Sequence, residues 1–328
     1  MDNLTHSLTG LMMARVGLGR TTAAGGTLMM VLAANAPDID ALFGLPGGLA
    51  YIEHHRWYPH SLAMAPVMAV LPLLLAKWIR GASINWLSYG ACLLGVLSHI
   101  LLDFTNVYGI RLFLPFSQAM PHLDMTDIID PWIFLIFFVA IAAPALAGLV
   151  GSEIRGRKAA GPKRAWAWVA LILLLGYEGF RFAAHERAVA VVSAYSYGGE
   201  APKIWAFPGS NPLRWKGVVE TANSVLIAPV VLTQDFDPNS GEVDYQSPDS
   251  PAAMAARATH VFQAFLGFDQ APFWKVTPED DDTTRVDLVD LRFGTPRMPG
   301  FAAASAIVTM QGMVRDVRFG MAIPGRRP

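Results

Sequence analysis

Four stretches of this chain, Ser61–Ile79, Ile84–Phe104, Pro131–Val150 and Trp166–Ala184, are apolar over the roughly 17–25 residues a helix needs to cross a bilayer. Such segments have few conformational choices. Lipid offers no water to satisfy peptide groups, so a single spanning segment of this kind must close its own hydrogen bonds as a helix. Two shorter apolar runs come first, Thr5–Leu18 and Thr21–Ala36, with Gly19, Arg20 and Thr21 at the turn between them. Each is marginal as a full span, so the pair is expected to tilt, re-enter or pack inside the bundle. The overall balance agrees: 53% of residues are hydrophobic and 16% charged, against roughly 25% charged in an ordinary soluble domain.

The apolar bias stops near Tyr195, where Pro, Gly and Asp become common. "WKGVVETANSVLIAPVVL" holds two strand-like runs, and Met254–Leu266 is helical by period. "TTRVDLVDLRFG", "AAASAIVTMQ" and "GMVRDVRFG" read as strands, the last two as a hairpin around Gly312. The expected fold class is therefore a mainly α membrane protein. A polytopic helical bundle over residues 1–187 leads through a Gly- and Pro-rich linker, 188–212, to an α+β extramembrane domain, 213–328.

Basic residues orient the bundle. Arg155, Arg157, Lys158, Lys163 and Arg164 crowd one loop, Lys77 and Arg80 a second turn, and Arg15 and Arg20 a third. If spans alternate, all three lie in the cytoplasm, and the opposite loops with the C-terminal domain lie outside it. Net charge is −1, so no global basic field favours nucleic acid. The single cysteine, Cys92, lies in an apolar run and has no internal disulfide partner.

The ionisable residues collect at the outer ends of the helices. His6 opens the first run, Asp38 and Asp40 follow the second in "APDID", and His54, His55 and His60 precede the third. His99 and Asp103 sit near the end of the fourth, and His122, Asp124, Asp127 and Asp130 precede the fifth. His99 and Asp103 are four apart, so one helix face carries both, inside an otherwise apolar span. Ionisable residues there are costly, and imidazole with carboxylate suits a divalent metal that would supply the missing positive charge. Bland readings stand beside this one. His99 can be a core histidine bonded to Asp103, and Asp130 can be a helix N-cap before Pro131. Convergence from five segments on one side favours the metal.

Four of these motifs carry a resemblance. "MDNLTHSLTG", "APDID", "HRWYPHSL" and "SHILLDFTNVYGIRLFLPFS" resemble, in order, those of the membrane-bound metal-dependent hydrolases of the YdjM type, also described as LexA-regulated. The resemblance covers about Met1 to Val150. That family is grouped with zinc-dependent phospholipase C and the P1-type nucleases, helical proteins with clustered zinc ions that cleave phosphate esters. It implies metal or second-shell roles for His6, Asp38, Asp40, His55, His60, His99 and Asp103, and a weaker one for Asp130. It implies one or more zinc ions, with another divalent metal as the alternative. It also makes Arg56 the natural phosphate or oxyanion partner, with Arg111 as a second candidate.

The chain departs from the family at Trp57, Tyr58 and Pro59, which replace smaller residues, and at His54, which is surplus. The function expected is a metal-dependent hydrolase in the cell membrane, with a lipid or lipid-linked phosphate ester as substrate and Asp40 or Asp38 as proton acceptor. A membrane zinc peptidase or amidase is the alternative enzyme, although no H-E-x-x-H motif is present. A metal-binding sensor or transporter is the non-catalytic alternative.

Overall fold

The computed structural model describes residues 1–155, 163–197, 201–280 and 282–321. The basic positions Arg157 and Lys158, and residues 198–200 of the expected linker, lie outside these. The chain divides into two compact units. One consists of Met1–Asp40 and Arg56–Ala183, the other of Ala41–His55 and the chain from Ala184 onward.

The first unit is helical. Asp2 caps α1 (Asn3–Val16) by accepting from Leu4 N and Thr5 N. A 3-10 turn, Leu18–Thr21, leads to α2 (Gly26–Asn35). At 1.5 Å per residue these helices are about 21 Å and 15 Å long, too short for a hydrocarbon core of about 30 Å. They pack inside the bundle, where Met12, Met29, Met30 and Ala33 are fully buried. Gly10 makes their close approach possible. A Cβ there would lie 2.6 Å from the Met30 carbonyl oxygen and 2.9 Å from Ala34 Cβ.

Among the described residues, three helices are long and apolar enough to cross a membrane: α6 (Trp86–Thr105), α7 (Pro131–Arg155, apolar to Gly148) and α8 (Lys163–Ser193). Asn85 starts α6 with a capping box, its side chain on Leu87 N and Ser88 N and the Ser88 hydroxyl on Asn85 N. Buried Met12, Leu102, Ile133, Phe137, Ala170 and Leu174 bring α1, α6, α7 and α8 into one apolar cluster.

The expected span Ser61–Ile79 is not one helix. Tyr58–His60 is a 3-10 turn, and Ser61 turns its hydroxyl onto Tyr58 O while accepting from Met64 N. Helix begins only at α4 (Ala65–Met68), with Pro66 in its first turn, and resumes as α5 (Val70–Arg80) after Ala69. A fourth span is counted only if Gly48–His60 and Ala65–Arg80 are taken together as one bent segment.

The second unit opens with α3 (Gly48–His54), separate in sequence from the rest of its unit. Two antiparallel meanders follow. The first is β1 (Lys203–Pro208), β2 (Arg214–Glu220), β3 (Ser224–Val231) and β4 (Glu242–Tyr245). The second is β5 (Pro272–Asp280), β6 (Thr283–Asp290), β7 (Ala302–Thr309) and β8 (Val314–Met321). Two short helices, α9 (Pro251–Arg257) and α10 (His260–Leu266), pack against the second sheet where one helix is expected from Met254 to Leu266. The expected hairpin around Gly312 is present. Gly312 takes φ 77°, and its N–H donates to Thr309 O. The stretch 188–212 holds the end of α8 and all of β1, whose "KIWAFP" pairs with β2 from Lys203↔Glu220 to Pro208↔Trp215.

Within the second unit, Asp269 and Asp290 are buried together with Arg292. Arg292 Nη2 donates to Asp290 Oδ2 at 2.6 Å and to Phe268 O at 2.7 Å. Burial and the facing Asp290 push the Asp269 carboxyl well above its ordinary value. A raised folded-state pKa means that the stabilising contribution is complete below the unfolded value of 3.8. It is lost as pH rises through the folded one. Asp269→Asn mimics the protonated acid. It is expected to stabilise the chain by about 1 kcal/mol at pH 7, raising Tm by about 2–4 °C. Thermal melts at pH 4 and pH 7 check this. The gain belongs only at the higher pH, and an equal gain at both would point elsewhere.

Candidate metal centre

The last two turns of α6 point His99 and Asp103 to the same side, Nε2 to Oδ2 at 3.3 Å. The 3-10 turn before α4 delivers His60, whose Nε2 lies 3.1 Å from His99 Nε2 and 3.4 Å from Asp103 Oδ2. The 3-10 segment Ala36–Gly44, which follows α2, delivers Asp38. Its Oδ1 lies 3.4 Å from His60 Nε2 and 3.5 Å from His99 Nε2. One donor atom from each of these four residues falls within 4.8 Å of all the others. His60, His99 and Asp103 are fully buried, and Asp38 is 9% exposed.

The far side of each imidazole fixes what the near side offers. His99 Nδ1–H donates to Ala34 O at 2.7 Å, and His60 Nδ1–H donates to Asp40 Oδ2 at 2.9 Å. In the neutral rings both Nε2 atoms therefore present lone pairs. The two Nε2 atoms face each other at 3.1 Å with carboxylate oxygens on either side. These ligand types at this spacing suit a divalent metal. The residues present fit the ion.

The local field agrees. Burial opposes a charge on His60, yet Asp38 and Asp40 raise its pKa above the ordinary value. Burial alone would raise Asp38, but the His99 and His60 imidazoles pull its carboxyl well below the usual range.

Other groups close the wall. His6 stacks on His99, with centroids 3.7 Å apart, and its Nε2 lies 3.3 Å from Asp103 Oδ1. Arg56 is 2% exposed. Its Nη2 meets Asp103 Oδ1 at 2.9 Å, Nη1 donates to Asn106 Oδ1 at 3.0 Å, and the guanidinium lies over the Tyr108 ring. The Met1 amino group also contacts Asp103. Arg56 takes φ 59°, a left-handed conformation that costs an ordinary residue about 1–3 kcal/mol. Contacts of this density hold it there.

Asp40, His55, Asp130 and Arg111 are the other expected site residues. Asp40 is behind His60, and its Oδ2 also accepts from Trp57 N at 3.1 Å. His55 follows α3 in the second unit, its ring stacked on Tyr51. Asp130 is the N-cap of α7. Its Oδ1 accepts from Trp132 N and Ile133 N, and its Oδ2 accepts from the Tyr177 hydroxyl at 2.8 Å. The capping alternative thus describes Asp130, and the ligand expectation does not. Arg111 is buried, and its N–H donates to Arg56 O. The Ala34 carbonyl, Asn3 and Asn106 were not expected at the site. Asn3 Nδ2 donates to Asp38 Oδ2 at 2.8 Å. Asn106, directly after the "HILLDFT" helix end, was within reach of a motif reading, but a backbone carbonyl leaves no sequence signal.

Asp40→Ala should leave His60 without its orienting acceptor. Metal affinity is expected to fall about 10–100-fold. Titration calorimetry checks this, and unchanged affinity would remove Asp40 from the centre.

Residues 1–188, which carry the whole four-residue cluster, match the family described as YdjM inner membrane protein. The chain belongs to the YdjM family. It is a multi-pass membrane protein of that family, with a metal-binding cluster consistent with a hydrolytic function. It is also 25% identical over 306 residues to the uncharacterized protein YfhP of Bacillus subtilis (strain 168), an alignment covering 89% of this chain and 87% of that one. No solved structure matches this YdjM-family chain.

Proposed function

We propose that this protein is a membrane-embedded, metal-dependent hydrolase of phosphate esters, with zinc as its metal and a lipid or lipid-linked molecule as its substrate. The convergence of two oriented imidazoles and two carboxylates, with ligand atoms all within 4.8 Å of one another, carries the reading. A bound divalent ion supplies Lewis acidity and makes water a nucleophile near neutral pH.

The chain's own groups divide the remaining work. His60, His99, Asp38 and Asp103 hold the ion, with His6 packed alongside. Asp40 orients His60. Arg56 holds Asp103 and adds positive charge where the transition state develops negative charge. The proton of the attacking water leaves to solvent beside Asp38, the one member of the cluster with measurable exposure. The apolar side chains around the cluster favour a lipid. Leu62, Phe113 and Phe116 are exposed, and Leu62 N donates to Leu112 O beside the Arg111–Arg56 contact. We also place the centre and the C-terminal domain outside the cytoplasm, from the basic residues at Arg15, Arg20, Lys77, Arg80, Lys163 and Arg164.

Two measurements test this. Protein purified in detergent should contain stoichiometric zinc by mass spectrometry and hydrolyse a phosphodiester in a screen that also contains phosphomonoesters, peptides and amides. Turnover of a peptide alone would replace the phosphoester reading with the peptidase one, and bound metal with no turnover would favour a sensor. A reporter fused after Arg187 should show an extracytoplasmic signal, and a cytoplasmic one would invert the orientation.

A further inference from the structure

A second His–carboxylate pair stands outside the ligand set. His122 Nδ1–H donates to Asp124 Oδ1 at 2.8 Å, and the side chains are 14% and 8% exposed. With Nδ1 committed, Nε2 is the nitrogen left to exchange a proton, and it has no hydrogen-bond partner among the described residues. The two ligand histidines cannot do this work. Each spends Nδ1 on an orienting acceptor and turns Nε2 into the cluster.

The pair is held in place from both sides. Asp124 takes φ 50°, a left-handed conformation that its neighbours impose. Leu123 N donates to Phe104 O and Met125 N to Thr105 O, which straps the segment onto the last turn of α6, directly after Asp103. Asn106 and Thr126 form a parallel bridge just beyond. On its other side the ring meets Gly109, where a Cβ would lie 3.4 Å from His122 Cδ2, the ring carbon bonded to Nε2. Gly109 O accepts from Arg56 Nη1, and Arg56 Nη2 meets Asp103. Gly109 and Arg56 thus separate the pair from the metal centre.

Hydrolysis of an alkyl phosphate ester must deliver a proton to the departing oxygen. We propose that His122, positioned by Asp124, is the general acid of this reaction. The inference rests on the hydrolase reading above. Water attacks phosphorus and releases one proton to solvent as its oxygen bonds to phosphorus. The bond from phosphorus to the leaving oxygen breaks, its electron pair stays on that oxygen, and His122 Nε2–H donates the proton that neutralises it. His122 then takes a proton back from solvent. Net, one water is split between the two products.

The test compares two leaving groups on the same phosphate with the full chain, purified and loaded with zinc. A 4-nitrophenyl ester leaves as a stable anion and needs little acid assistance, whereas an alkyl ester needs it fully. His122→Gln should lower kcat on the alkyl ester about 10²–10⁴-fold and on the nitrophenyl ester less than about tenfold, with unchanged zinc content. Asp124→Asn should show the same asymmetry more weakly, as a positioning residue would. Added imidazole should restore alkyl-ester turnover to His122→Ala. Equal losses on both esters, or no loss on the alkyl ester, would overturn the acid role and leave the hydrolase standing. A wild-type protein that cleaves neither ester would remove both.

Discussion

His99→Ala is expected to empty the centre. The variant loses one ligand and the ring that faces His60 Nε2 at 3.1 Å, and with it the contact that ties α6 to Ala34 O at the end of α2. Loss of an orienting partner alone costs about 10–100-fold in metal affinity, so loss of a ligand should exceed about 100-fold. Zinc content after dialysis against a micromolar chelator should fall from stoichiometric to background, and all hydrolysis should go with it. His54→Ala is the matched control. It also removes an imidazole, but one whose Nδ1 donates to Ala50 O within its own helix, and it should keep its metal. Full occupancy in His99→Ala would leave the cluster without its central claim.

The second large effect concerns folding. Asp103 and Arg56 are both buried, and their ion pair is compensated only while both are present. Asp103→Ala strands a guanidinium that is 2% exposed, and breaking a buried pair from one side costs about 3–5 kcal/mol. Removing both charges should cost less, because the guanidinium is then no longer left without its carboxylate. Asp103→Ala with Arg56→Met is therefore expected to unfold later than Asp103→Ala alone, although neither binds metal normally. Asn106 Oδ1 still accepts from Tyr108 N in the double variant, so that acceptor is not orphaned. Denaturant titration in detergent of both variants and wild type decides the matter, and a double variant no more stable than the single one would show that the pair is not coupled.

The two predictions draw on features that differed in how readily the sequence revealed them. The pairing of His99 with Asp103 was readable because helical period puts both on one face of an apolar span. The long helices were readable for the same reason, as apolar length is a local property. The broken segment after His60 was not. Its length and hydropathy suit a span, while Pro66, Pro72 and the hydroxyl of Ser61 decide where helix can begin, and those effects depend on neighbours. Asp130 was ambiguous by nature, since a carboxylate before a helix-starting proline suits a cap and a ligand equally. Arg56 was singled out as an anion partner, but the carboxylate it meets was not foreseeable. Guanidinium fits phosphate and carboxylate alike, and only the fold shows that Asp103 already occupies it. β1 was hidden within a Gly- and Pro-rich stretch, because its pairing with β2 is not written in "KIWAFP" alone.

The positions of the cluster residues also set an order of assembly. Asp38, His60, His99 and Asp103, with the orienting groups at Ala34 and Asp40, all lie before the end of α6. Ribosomes work from the N-terminus, and domains form as they emerge, so every donor atom is synthesised before any residue of the two β-meanders. The centre is thus chemically complete while the second unit is still largely unmade. Metal can be captured during insertion, as the apolar helices close around it, with no need for a route into the finished protein.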